Sequence, residues 1–272
     1  MIGRRGEAPL AAARVFAMLL RYLYLFRSSW PRTLELFYWP TLQMLIWGFM
    51  SQFLYQNSSY VFRAFGVLLA AVLLWDVLFR GQLGLSISFL EEMWARNLAH
   101  LFATPLRPWE WVLAMLAMSL IRVVLGLAPA ALLAIPLYHY SIFTLGLPLI
   151  GFFFVLLAMG WGMGLAICAL ILRHGMGAES LAWLAVFVLA PVSAVYYPVS
   201  VLPIWLQHFA WALPSTYVFE GMRSVLFSHV FRADYLVGAA LLDIVFAAAG
   251  GLLVLAAFRD ARRRGALMQM GE

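Results

Sequence analysis

The chain is 272 residues long, 65% hydrophobic and only 11% charged, with a formal net charge of +6. A soluble domain is nearer half apolar and a quarter charged, so this composition excludes a soluble protein and points to an integral membrane one. The positive charge does not imply nucleic acid, because the arginines gather at the ends of hydrophobic runs, where membrane topology places them.

All 18 basic residues are arginine. The lack of lysine removes the phosphate-binding loop of nucleotide hydrolases and any Schiff-base chemistry. The single cysteine, Cys168, cannot form an internal disulfide. His100, His139, His174, His208 and His229 are scattered, with no close-spaced acid or cysteine, so no metal site is predicted.

In chain order, residues 1–35 read as an amphipathic segment lying in the membrane interface. Its helix runs from about Pro9 to Phe26, with Ala11, Val15, Met18, Tyr22 and Leu25 at helical spacing and Arg14 and Arg21 on another face. Those two arginines interrupt the apolar region that a cleavable signal peptide needs. Ser28-Ser29-Trp30-Pro31 breaks the helix. The first span is predicted over about Leu36–Leu54, with Trp39 and Trp47 as interfacial or packing aromatics, and a polar turn follows at Gln56-Asn57-Ser58-Ser59. The second span is placed over about Val61–Phe79, with Asp76 near its inner end.

Residues 88–105, SFLEEMWARNLAHLFATP, form the one long polar stretch between hydrophobic runs on the arginine-rich side. Glu91, Glu92, Arg96, Asn97 and His100 mark one face of a predicted helix. Phe89, Met93, Trp94, Leu98, Leu101 and Phe102 supply apolar contacts at roughly helical spacing. Such a helix can lie along a membrane surface with its charged side open to a soluble partner, or be simply a solvated interfacial loop helix. Pro105 and Pro108 end it.

The third span is predicted over Trp109–Leu137 and contains Arg122; the fourth covers Ile142–Leu172. Gly160 and Gly164 stand four apart in the fourth, with Gly162 between, a spacing that permits close helix contact. The fifth span is placed over Ala178–Tyr196. From Tyr197 to Tyr235 the apolar pieces are too short to span and are cut by Pro198, Pro203 and Pro214. Ile204–Leu213 fits a re-entrant piece, and Ser200 and Ser215 are expected to be reachable from outside. The sixth span, Leu236–Phe258, precedes an arginine-rich tail, residues 259–272. Six spans put both ends on one side. Fourteen arginines fall on that side against three opposite, so both termini and residues 88–105 are predicted to be cytoplasmic and residues 197–235 to face outward.

Two stretches resemble a known family. LEEMWARNLAHLFATPLRPWEW, Leu90–Trp111, looks like the coupling helix of type-2 ABC exporter permeases followed by their "ATPL" opening of the third span. YYPVSVLPIWLQHFAWALPSTYVFEGMR, Tyr196–Arg223, looks like their aromatic–proline stretch, short re-entrant helices and "P-x-T-Y…R" segment, and is the more specific match. The resemblance implies an all-α permease, a single transmembrane domain without catalytic residues. It implies a bacterial cytoplasmic (inner) membrane location, a second permease copy, and two separate ATPase chains that bind ATP and Mg. It assigns coupling to Glu91, Glu92, Met93, Trp94, Arg96 and Asn97. It assigns the outer gate to Tyr197, Pro198, Pro203, Trp205, Pro214 and Tyr217. Lipids, lipid-linked glycans, polysaccharides, drugs and peptides are all substrates in that family.

Two other functions compete. A lipid-modifying membrane enzyme would draw on Glu220, Arg223, His208 and His229, although Glu220 and Arg223 sit one helical turn apart and can simply pair. A secondary transporter or channel would use an ionisable relay, for which Asp76, Arg122 and Asp243 are sparse. Arg122 lies roughly 20 Å along the third span, so it needs a partner or water. Asp243 is the acid expected to meet it. The alternatives are that Arg122 snorkels or bonds backbone carbonyls, or that it lines the substrate path and attracts an anionic head group.

Overall fold

A computed structural model describes residues 7–57 and 65–263. Arg4, Arg5, Ser58, Ser59, Arg63, the first residues of the second span and the tail from Arg264 lie outside the described residues. The described residues are almost wholly helical. Helix α1 (Glu7–Arg27) turns at Ser28-Ser29 into α2 (Trp30–Asn57), as the break in pattern predicts.

Helix α3 (Phe65–Trp94) runs far past the expected end of the second span at Phe79. Residues 88–105 are therefore not one surface helix. Ser88 to Trp94 complete α3, and a separate short helix, α4 (Leu98–Ala103), follows. The difference has a physical cause. Ser88 donates to the Gly84 carbonyl at 2.9 Å, and both glutamates find arginines on other helices, so no polar group forces the helix to stop. It stops at Arg96, whose φ is +52°. The Asn97 amide donates to the Glu92 carbonyl at 3.0 Å and the Arg96 amide to Met93 at 3.0 Å. This is a Schellman cap, with arginine in the left-handed position that glycine usually fills.

Helix α5 (Pro108–Tyr138) starts on a capping box, with Glu110 accepting from the Arg107 amide at 3.0 Å. Helix α6 (Pro148–His174) follows, and α10 (Ala233–Arg263) closes the fold. These three and α3 from Gly66 are long and apolar enough to cross a membrane. Within their most apolar windows α3 and α6 are 72% buried, against 33% for α5 and 28% for α10, so α3 and α6 form the centre. Helix α2 has the length, but its Trp, Tyr, Pro and Gln side chains keep it less apolar than these four.

The three glycines of α6 work on two faces. A Cβ on Gly160 would stand 2.7 Å from the Leu78 carbonyl, and one on Gly164 would stand 3.1 Å from the Gln82 carbonyl, both on α3. Gly162, about 200° round the helix from Gly160, presses instead on Phe246 and Gly250 of α10. The glycines thus bring three helix backbones together, the packing role their spacing predicts. A polar chain crosses the centre as well: Trp161 donates to Ser119 at 3.2 Å, and Ser119 donates to the Gly81 carbonyl at 2.9 Å.

Two buried clusters divide the bundle by height. One joins α1, the last turns of α3, the start of α5 and the ends of α6 and α10; Trp111 sits in it against Phe89 and Phe258. The other joins the first half of α3, the second half of α5, the first half of α6 and Leu213, Val218, Phe219 and Met222. The N-terminal helix, residues 88–105 and the end of α10 therefore share one arginine-rich end of the molecule.

The fifth span differs from expectation. Helix α7 (Ser180–Val192) has 13 residues, about 20 Å, and gives way after Pro191 to a turn with Ala194 at φ +51°. Helices α8 (Ile204–Trp211) and α9 (Pro214–Ser228) are the short pieces that the three prolines predict. Ser200 is exposed, but Ser215 is fully buried and donates to Ser193 at 2.9 Å, so only Ser200 keeps its expected accessibility.

Candidate functional site

A groove of about 520 Å³ runs along one face of α3, between α2 and α7. Val72, Trp75, Phe79, Leu83, Ile87 and Trp94 form its floor at steps of three, four and seven residues, a single helical stripe. The rise from Val72 to Trp94 is roughly 33 Å, about the thickness of a hydrocarbon core. Leu36, Trp39 and Gln43 of α2 make one wall; Ala182, Trp183 and Phe187 of α7 make the other. Away from the arginine-rich end, Trp47 stacks on Tyr196 with ring centres 4.4 Å apart and bridges α2 to the chain after α7.

The groove carries charge at two heights. Asp76 accepts from Arg80, one turn away, at 2.7 Å. Nearer the arginine-rich end, Glu91 meets both Arg122 of α5, at 3.3 Å, and Arg32 of α2, at 3.2 Å. The expected pair of Arg122 with Asp243 does not form. Extension of α3 to Trp94 brings Glu91 within reach of Arg122, whereas Asp243 is buried on α10 with Oδ1 lacking a hydrogen-bond partner. Arg122 is itself loosely held: its other bond, to the Gly84 carbonyl, is 3.4 Å, and its Nε has none.

Below the groove, α1 is clamped to the bundle. Arg14 forks onto Glu110 through Nε–H···Oε2 at 2.8 Å, Arg21 pairs with Glu92 at 2.9 Å, and the Trp111 indole donates to Tyr22 at 2.7 Å. Burial, with the Glu92 charge beside it, pushes the Tyr22 phenol above its ordinary range, so it remains a neutral acceptor. The six residues to which the resemblance assigns coupling therefore split. Glu91, Glu92 and Met93 turn inward, and Asn97 donates to Glu92 at 2.9 Å; Trp94 and Arg96 are exposed.

At the other end, Arg223 and Glu220 pair at 3.1 Å, as their spacing suggests. Arg223 also donates to the carbonyls of Ala194, at 2.9 Å, and Val195, at 3.3 Å, while Glu220 accepts from the Val199 amide at 2.7 Å. The pair thus satisfies backbone that leaves regular structure after α7. His208 faces its own helix, against the Ile204 carbonyl at 2.9 Å. Of the residues expected at an outer gate, Tyr197 donates to the Pro191 carbonyl at 2.6 Å, Tyr217 packs on Trp211 and Tyr235, and Pro214 is buried at the start of α9. Pro198, Pro203 and Trp205 are exposed. None of the six lines the groove; their neighbour Tyr196 does. The groove residues Trp75, Asp76 and Arg80 were readable in principle, as an aromatic with an i,i+4 ion pair on one stripe of an apolar helix.

A model of the ABC-2 type transporter family matches residues 15–227, which include α3, the Arg96 cap, the groove and all but the last residue of α9. The chain belongs to the ABC-2 type transporter family. No curated protein matches it. Members of this family are membrane permease subunits, generally without catalysis of their own, and membership implies association with an ABC ATPase. In this ABC-2 permease the exposed Arg96 cap closes the same helix that floors the groove.

Proposed function

We propose that this chain is the membrane half of an ATP-driven exporter in a bacterial inner membrane. The observation that carries the reading is the α3 stripe: one helix floors the groove and ends at the exposed Trp94–Arg96 cap. In this reading α2, α3, α5, α6, α7 with the turn after it, and α10 make six spans, and the arginine-rich end is cytoplasmic. The short α7 is completed by backbone that Arg223 covers, which keeps broken helix away from lipid. Two copies face each other across the open side between α2 and α7. Two ATPase chains, which bind ATP and Mg, dock beneath.

The cap is the proposed docking knuckle. An arginine held in a left-handed conformation costs roughly 1–2 kcal/mol that glycine would not, a strain that functional contact offsets. Because Arg96 sits at the end of α3, movement of the cap tilts the floor of the groove directly. Glu91, Glu92 and Asn97 then transmit force through their buried pairs instead of touching the ATPase. Helices α8 and α9 form the outer gate, and an amphipathic substrate moves outward along the groove.

Co-purification tests the reading. The chain expressed with its ATPase is expected to yield a complex with vanadate-sensitive ATP turnover that neither part shows alone, and a cysteine at position 96 is expected to crosslink to the ATPase. A permease that purifies alone and transports without ATP would overturn it. Impermeant thiol labelling from outside is expected to reach a cysteine at position 200; labelling only from the cytosolic side would reverse the topology.

A further inference from the structure

We infer that Arg122 is the anion-reading group of the groove, taking the phosphate or carboxylate head of an amphiphile, and that Glu91 is its built-in competitor. The inference rests on the reading of the groove as the substrate path. Arg122 is 8% exposed and lines the groove, yet its protein bonds are 3.3, 3.4 and 3.5 Å and its Nε has no partner. A guanidinium offers five donors and matches two oxygens of a carboxylate or phosphate in a bidentate fork. Its one carboxylate, Glu91, is shared with Arg32 at 3.2 Å, so this cluster of two arginines and one glutamate carries a net positive charge.

The other charges in the groove do not cancel this. Arg80 already holds Asp76 at 2.7 Å. Glu35 is exposed and Glu179 half-buried, and both lie toward the arginine-rich mouth, where water screens them. Arg32, which supplies the excess charge, is exposed and screened as well, whereas Arg122 itself is buried where the dielectric is low and an added anion gains most. Beyond it, Leu83, Leu90, Trp39 and Trp183 supply the apolar lining that a chain or ring would occupy. An arriving anionic head takes Arg122 from Glu91, and Glu91 stands five residues before the Arg96 cap. Occupancy of the groove is thereby felt at the end of α3.

Native mass spectrometry of the full chain in detergent reads this directly, with decyl phosphate, decanoate, decyltrimethylammonium and decyl maltoside as probes. Decyl phosphate and decanoate are expected to bind about tenfold or more tighter than the neutral and cationic probes. Arg122→Gln is expected to erase that preference and leave decyl maltoside unchanged. Glu91→Gln is expected to strengthen decyl phosphate a few-fold, because the competitor's charge is gone. A purely structural Arg122–Glu91 pair predicts no gain, so this variant decides the matter even if Arg122→Gln does not fold. No anion preference in the native chain, a preference that survives Arg122→Gln, or a Glu91→Gln variant without tighter decyl phosphate binding would each overturn the assignment. Inorganic phosphate at equal concentration is expected to displace little decyl phosphate; equal displacement would mean a free-anion site and overturn the amphiphile. A native chain without the anion preference but with ATPase co-purification intact sinks only the head-group assignment. The converse result sinks only the exporter reading.

Discussion

Arg122 and Arg223 are equally buried, at 8% exposure, and do opposite things. Arg223 closes a structural knot: two backbone carbonyls and both oxygens of Glu220 accept from it, and Glu220 in turn caps Val199. Arg122 has long contacts, a shared counterion and an unbonded Nε beside an open groove. A buried arginine is expensive in either setting. Four bonds, the shortest 2.9 Å to a fixed carbonyl, make Arg223 part of the fold, whereas bonds of 3.3 Å or more and a shared counterion leave Arg122 with donors for a third party. The end of the molecule that carries α8 and α9 is thus locked by its arginine, whereas Arg122 is held more loosely beside the groove.

The sharpest way to break the comparison is at the lock. Arg223→Ala strands two buried carbonyls and Glu220, and is expected to cost about 3–5 kcal/mol, seen as a large fall in folded yield and melting temperature. Arg223→Lys is expected to recover less than half, since a single ammonium cannot span the same acceptors. A mild effect would show that the turn after α7 needs no staple.

Next comes Glu92, 1% exposed and bonded by Arg21 and Asn97. Glu92→Ala is expected to cost about 1–3 kcal/mol by removing a buried acceptor. The coupling to Arg21 in a double-mutant cycle is expected to be under about 1 kcal/mol, because Arg21 is one-third exposed and water replaces much of the pair.

Arg122→Gln is expected to cost only about 1 kcal/mol of stability, well below Arg223→Ala, because the bonds it loses are long. Arg122→Ala and Asp243→Ala are expected to be additive within about 0.5 kcal/mol, while Arg122 and Glu91 couple by more. A strong Arg122–Asp243 coupling would contradict the geometry.

Arg96→Gly is expected to raise stability by up to about 1 kcal/mol by relieving the left-handed cap, while ATP turnover by the complex falls. Arg232→Ala makes the smallest change. Its pair with Asp234 at 2.7 Å stands in water, and no measurable shift in melting is expected.

Much of this molecule is legible without coordinates. Residue composition alone assigns it to a membrane. Hydrophobic runs mark α3, α5, α6 and α10, the prolines mark the short α8 and α9, and the Gly160/Gly162/Gly164 spacing marks the tight centre. These are local properties, set by hydropathy, periodicity and backbone sterics, and they survive any choice of neighbour. The Leu90–Trp111 and Tyr196–Arg223 stretches carry the family resemblance for the same reason. What only the tertiary structure decided is which charge meets which. Glu91 and Glu92 look like a solvated face in isolation. They turn inward because Arg21 of α1, with Arg32 and Arg122, approaches from 31 to 71 residues away in sequence. The partner of Arg122 depends on the height at which α3 ends and on its rotation against α5. Both are properties of packed pairs of helices, and neither is written in the pattern of one.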